Sequence, residues 1–297
     1  MGTYSKSSHL VDTPRPPPFG HPSTPAPPPY CSTRPRGRPH SLSSFLSPLS
    51  LCLLFSTLSP QDSYPPPSNL ITIPTAGGLI RGSFSAELRL QKEGGLNFGM
   101  AAGVTDRFQF GVSFGASQLI GDDTLQWHPR PEVNLKYRIM DETMTMPGVA
   151  FGLETQGLGS YIAGDSLNRY DVKAYGLYLA GSKNWQTPLG NVGLHFGANY
   201  NFTETDDGDK DISLFAGTDI EINPELALLF EYNAALNENE YGAEDISISR
   251  GGYLNAAVRW TFVDRLHLEL DFNNLMFDEE KVGYFNRELK IIYIEYF

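Results

Sequence analysis

Between Gly82 and Phe297 the chain alternates apolar and polar residues with period two, in one short segment after another. In the stretch 192–202, Val192, Leu194, Phe196, Ala198, Tyr200 and Phe202 share one parity, while Gly193, His195, Gly197, Asn199 and Asn201 share the other. Phe108, Phe110, Val112 and Phe114 oppose Gln109, Gly111, Ser113 and Gly115 in the same way, and Leu266, Leu268, Leu270 and Phe272 oppose His267, Glu269, Asp271 and Asn273. Successive side chains point to opposite faces only in a strand, so this pattern commits the region to β-structure. Twelve such segments are predicted, at 82–91, 95–104, 108–119, 131–140, 147–157, 171–185, 191–203, 211–222, 226–236, 251–263, 265–275 and 287–297. The sequence contains no run of 18 or more apolar residues, which argues against a transmembrane helix.

Alternation also suits a soluble sandwich, whose apolar faces turn inward. Three features favour a closed, antiparallel, up-and-down transmembrane β-barrel of about twelve strands instead. The polar parity is rich in glycine (Gly99, Gly103, Gly111, Gly115, Gly152, Gly193, Gly197), which weakens a solvated sheet surface but suits a crowded barrel interior. Connections alternate in length: those near 105–107, 141–146, 186–190, 223–225 and 264 are short, and those at 121–130, 158–170, 204–210, 237–250 and 276–286 are mostly longer. Short periplasmic turns and long external loops mark bacterial barrels, and an even strand number leaves both termini in the periplasm. Finally, the last segment carries Leu289, Ile291 and Tyr293 at alternate positions and ends on Phe297, although Glu295 interrupts the alternation.

In these features residues 69–297 resemble bacterial outer-membrane β-barrel proteins of the porin-like kind. The resemblance implies localisation in the bacterial outer membrane, contact with its lipid and lipopolysaccharide, and recognition by the barrel-assembly machinery through the strand ending in Phe297. Trp185, Trp260, Phe262 and Phe297 are then expected near the periplasmic rim, with Tyr170, Tyr241 and Tyr253 near the outer rim, as two aromatic girdles.

Residues 1–68 are different in kind. Sixteen of the 22 prolines lie there, and triplets such as Pro16-Pro17-Pro18 and Pro65-Pro66-Pro67 preclude regular structure, so a disordered leader is expected. Within it, Arg34, Arg36 and Arg38 precede the apolar run Leu42–Leu58, the pattern of a secretory signal peptide at about 34–59. The stretch Ile73–Gly82 bears a faint likeness to the start of other exported barrels. Both cysteines, Cys31 and Cys52, belong to the leader, so the barrel region holds no disulfide or thiolate metal site.

If the apolar parity meets lipid, the other lines the lumen. The expected lumen-lining residues are Glu87, Arg89, Lys136, Arg138, Glu154, His195, Asn199, Glu231, Arg259, His267, Glu269 and Asp271. Both charge signs occur, and two readings stand: a narrow aqueous pore for small solutes, or a closed structural or binding barrel acting through its extracellular loops. A net charge of −12 argues against a nucleic-acid partner.

Catalysis, cofactors and metals are not expected. Gly111-Val112-Ser113-Phe114-Gly115 matches G-x-S-x-G, but it lies inside an alternating strand and not at a strand-to-helix elbow. Asp207, Asp209 and Asp211 begin an EF-hand-like spacing, which fails where Ile212 replaces the turn glycine and Thr218 the closing glutamate. An enzyme would require a serine or aspartate within hydrogen-bond reach of His195 or His267.

Overall fold

The computed structural model describes residues 67–121, 124–163, 167–188, 190–239, 251–262, 265–276 and 286–297. Strands in chain order are β1 (Ser83–Leu90), β2 (Leu96–Gly103), β3 (Phe108–Ser117), β4 (Gln126–Trp127), β5 (Glu132–Met140), β6 (Gly148–Glu154), β7 (Leu158–Ala163), β8 (Asn168–Val172), β9 (Gly176–Thr187), β10 (Gly190–Tyr200), β11 (Ser213–Asn223), β12 (Leu226–Asn233), β13 (Tyr253–Phe262), β14 (Leu266–Asn273) and β15 (Asn286–Tyr296). Twelve of them close into one antiparallel barrel in the order β1-β2-β3-β5-β6-β9-β10-β11-β12-β13-β14-β15, and β15 returns to β1. The seam runs in register from Ser83 opposite Tyr296 to Leu90 opposite Leu289. Among the described residues closure leaves the twelve-stranded wall no unpaired edge, which a lipid interior requires.

Sidedness follows the parity of the sequence. In β3, Phe110, Val112 and Phe114 are exposed while Gln109, Gly111 and Gly115 are buried. In β10, Leu194, Phe196 and Tyr200 are exposed while His195 and Asn199 are buried. In β14, Leu270 is exposed while His267, Glu269 and Asp271 are buried. An apolar exterior around a charged interior is the inverse of a soluble sandwich. It identifies a membrane-spanning barrel of the bacterial outer-membrane type.

The twelve predicted segments correspond to the twelve wall strands, but the long connections contain structure that alternation does not reveal. The two-residue β4 pairs with the end of β3, and β7 and β8 form a separate hairpin between β6 and β9. The segment predicted to start at 171 therefore starts at Gly176. Residues 171–175 complete the external hairpin and lead back to the wall. Tyr170 and Tyr253 are 0% and 4% exposed, so they lie inside and not on an outer girdle. At the rim carrying the short turns, three of the four expected aromatics are exposed: Trp260 and Phe262, with ring centroids 4.2 Å apart, and Phe297, which stacks on Phe84 at 5.7 Å, while Trp185 is half-buried. Tyr241 and the leader up to residue 66 lie outside the described residues.

The segment ahead of the first wall strand, to which alternation assigned no structure, lies inside the barrel. Residues 67–80 occupy the lumen as a compact hairpin. Ser68 O accepts from Thr75 N at 3.1 Å, Leu70 N donates to Ile73 O at 2.9 Å, and Asn69 bridges to Pro74. The chain then runs out through Leu79 and Ile80 to β1. Because β1 starts at the end carrying the short turns, the hairpin enters from the periplasmic side.

Candidate functional site

The lumen is organised around that hairpin. Leu70, Ile71 and Ile73 are fully buried and form the apolar centre of the barrel with Tyr175, Tyr178, Phe215, Leu229 and Ala257. The fit is close: a Cβ added at Gly217 in β11 would overlap Leu70 and Ile73. Sequence parity misses this core because inward apolar residues such as Phe215 and Leu229 look like breaks in the alternation.

Charged wall residues hold the hairpin by its main chain. The Glu231 carboxylate on β12 accepts Ile71 N at 3.0 Å, Thr72 N at 2.9 Å and Ile73 N at 3.1 Å, together with the Thr72 hydroxyl at 2.6 Å. Asn255 Nδ2 donates to the same carboxylate at 2.8 Å and fixes its rotamer. Arg259 Nη2 donates to Leu70 O at 2.7 Å. Arg89 Nη2 and Lys290 Nζ both donate to Ile71 O, each at 2.8 Å. Nearer the periplasmic end, Lys136 Nζ donates to Gly77 O at 3.1 Å and to Ser68 Oγ at 3.0 Å, and Gln109 Oε1 accepts Leu79 N at 3.0 Å.

Of the twelve expected lumen residues, Arg89, Lys136, His195, Asn199, Glu231, His267, Glu269 and Asp271 are buried. Glu154 and Arg259 are partly buried, and the Glu87 and Arg138 side chains are 37% and 22% exposed. Arg89, Lys136, Glu231 and Arg259 converge on the hairpin. Glu269 and Asp271 surround Lys290, and Glu269 also accepts from Arg259 Nε at 2.6 Å. Arg138 turns to the rim and lies 3.7 Å from Asp141. Asn199 Nδ2 donates to Tyr175 O at 3.0 Å. Lys290 was overlooked in the sequence although it holds an inward position between Leu289 and Ile291.

His195 has two of the partners that catalysis would require. Ser182 Oγ lies 2.8 Å from Nδ1, and Asp219 Oδ1 lies 2.6 Å from Nε2. Ser182 Oγ also accepts Ala76 N at 2.8 Å, so this chain of hydrogen bonds ends on the hairpin. Ser182 is mid-strand, opposite Gly148 in one ladder and His195 in the other. Its neighbouring backbone is thus committed to sheet pairing, and paired backbone N–H groups cannot also form an oxyanion hole. The second histidine, His267, pairs with the Thr261 hydroxyl at 2.9 Å. Ser113 of the G-x-S-x-G match donates to Gln156 at 3.0 Å.

A second network ties the described outer loops to one another. Arg169 at the start of β8 bonds Asp207 at 2.7 Å and Glu238 at 2.6 Å, and Lys173 bonds Asp207 at 2.8 Å and Asn237 O at 2.8 Å. Glu204 accepts Tyr170 N and Ala174 N, both at 2.7 Å. Burial pushes the Glu204 carboxyl up to about 7, partly offset by those two N–H donors and by Asn201. The acidic loop considered for a cation is spent here: Asp207 neutralises Arg169 and Lys173. Among the described residues no cluster of potential metal ligands occurs.

Between the hairpin and the β1-β2-β3-β5-β6 wall lies a cavity of about 190 Å³. Ser68, Glu87, Asn97, Asn134, Glu154 and Gln156 contribute to its lining, as do Arg259 and Lys290 of the hairpin clamp.

Neither a protein-family model nor a curated protein matches the sequence. Similar solved structures include the KdgM porin, 12% identical with a TM-score of 0.40, which covers 71% of this chain and 98% of its own. The NanC porin is 9% identical with a TM-score of 0.38, covering 72% and 99%. An outer membrane channel from Pseudomonas putida F1 is 15% identical with a TM-score of 0.35, covering 79% and 100%.

Proposed function

We propose that this protein is a porin-like outer-membrane channel for small solutes whose lumen is occupied at rest by its own N-terminal hairpin. The observation that carries this reading is the size and polarity of the enclosed space. The wall surrounds a folded chain segment and still leaves a cavity of about 190 Å³ beside it. Twelve strands lie between the eight-stranded barrels filled by side chains and the sixteen-stranded barrels that leave a channel. Here the wall side chains leave room, and a peptide fills it. Asn97, Asn134 and Glu154 line the remaining cavity, and each has a buried oxygen without a hydrogen-bond partner among the described residues. Buried polar groups of this kind suit an aqueous content. The Ser182–His195–Asp219 set belongs to this reading as a hairpin anchor and not as a hydrolytic site. Phe297, 91% exposed at the end of the closing strand, is the part of the chain offered to the assembly machinery.

The test is single-channel recording of the full chain in a planar bilayer, after a heat-dependent gel shift has confirmed a folded barrel. Discrete steps of low open probability are expected, and weakening the hairpin should raise that probability. A folded barrel that stays silent at all voltages, with the hairpin intact or weakened, overturns the channel reading.

A further inference from the structure

Four charged side chains from four strands meet at the hairpin tip: Arg89 from β1, Glu231 from β12, Arg259 from β13 and Lys290 from β15. They grip the backbone of Leu70–Ile73. Glu231 takes the N–H groups of three consecutive residues, while the three cations take two consecutive carbonyls. A carboxylate aimed at amide N–H groups beside cations aimed at C=O groups is complementary to a peptide backbone, whatever its sequence. It is equally complementary to the ammonium and carboxylate of a short zwitterionic peptide. A neutral sugar presents neither group. Aliphatic side chains enter the site beside this clamp, where Tyr175, Phe215 and Leu229 surround Leu70, Ile71 and Ile73.

We propose that the lumen contains a peptide-binding site, held at rest by the chain's own Leu70–Ile73, and that short peptides with aliphatic side chains are the solutes that compete for it. The proposal rests on the channel reading for its physiological sense, but the site itself is defined by the clamp. Glu231 is 1% exposed and Lys290 2%. With the hairpin gone, Lys290 and Arg259 keep Glu269, while Glu231 loses four of its donors and keeps Asn255; a buried carboxylate so depleted of donors favours an occupant that restores them. The cavity supplies the route. It reaches Ser68 and Asn69 of the hairpin on one side and Arg259 and Lys290 of the clamp on the other.

The experiment uses the full chain carrying Leu70→Asp and Ile73→Asp, which weakens the hairpin and leaves the wall intact. A fluorescently labelled hexapeptide of sequence Leu-Ile-Thr-Ile-Pro-Thr is titrated by fluorescence anisotropy, with channel current recorded in parallel. Saturable binding is expected, displaced by unlabelled peptide and not by maltose. Adding Glu231→Gln should weaken binding about tenfold or more, since hydrogen bonds to charged groups contribute about 1.5–3 kcal/mol. No saturable binding, or binding indifferent to Glu231→Gln, overturns the site. If the double variant does not fold, Thr72→Ala replaces it. That change removes the hydroxyl contacts to Glu231 and Tyr175, and should bind more peptide than the unmodified chain; equal binding overturns the proposal. Peptide binding without current refutes the channel reading and leaves the site standing. Current without peptide binding does the reverse.

Discussion

The barrel is closed twice, and the two closures are built on opposite principles. Within the barrel, wall charges hold a segment of backbone that enters from the end carrying the short turns. At the outer side, loop charges hold one another: Arg169 and Lys173 are matched by Asp207 and Glu238, with Glu204 tying the β7–β8 hairpin down through its N–H groups. The lower closure can be relieved by any ligand that offers the same amides and carbonyls. The upper one responds only to what alters its own charges. A tunable obstruction and a fixed lid thus occupy the same lumen.

The largest expected effect is on the lower closure. Glu231→Ala strands the N–H groups of Ile71, Thr72 and Ile73, at about 4 kcal/mol in total. Hydrogen exchange at those amides should accelerate by roughly a thousandfold while the Tyr170 amide is unchanged. Simultaneous acceleration at both ends would show that the closures are one unit. Next, Arg169→Ala leaves Glu238 buried without its cation and should loosen the outer mouth by about 3 kcal/mol. Protease sensitivity of the external loops should rise with hairpin amides still protected; hairpin release would break the distinction.

A smaller change, about 1 kcal/mol, is expected for Ser182→Ala, read as faster exchange at the Ala76 amide. With Ser182 read as an anchor, the unmodified protein should stay unlabelled by a fluorophosphonate. Labelling that disappears in Ser182→Ala would reverse that assignment. The smallest effect is on pH. Glu204 binds its proton up to about 7 when folded, against 4.5 for an ordinary glutamate. Between those values the folded lid holds more protons than the opened one, so its stability falls as pH rises through this window. Loop protection should therefore be greater at pH 5 than at pH 8, and Glu204→Gln should flatten the difference.

The wall was legible in the sequence because each strand there has one face in lipid and one in the lumen, and period two records that asymmetry. Phe110 against Gln109 and Leu270 against Glu269 are enough to orient their strands. The hairpin was not legible for an equally physical reason. Its contacts to Glu231, Arg89 and Lys290 are made by main-chain atoms, which every residue possesses. Leu70, Ile71 and Ile73 follow Pro65-Pro66-Pro67 and are too short a run to show a period. The inward positions of Arg89, Glu231 and Arg259 could be read, but not what they grip. Tyr170 resembled an outer-rim aromatic because a folded-in loop and an exposed one share the same polar composition.

The shared carbonyl of Ile71 has a mechanical consequence. Arg89 and Lys290, its two donors, stand directly opposite each other in the β1–β15 ladder, the pairing that turns a curved sheet into a ring. Like charges facing across a ladder push it apart. With the hairpin in place a common acceptor lies between them, and without it only the nearby carboxylates do. An emptied barrel therefore relies, at the ladder that makes it a ring, on Glu87, Glu288, Glu269 and Asp271 to keep those two cations side by side.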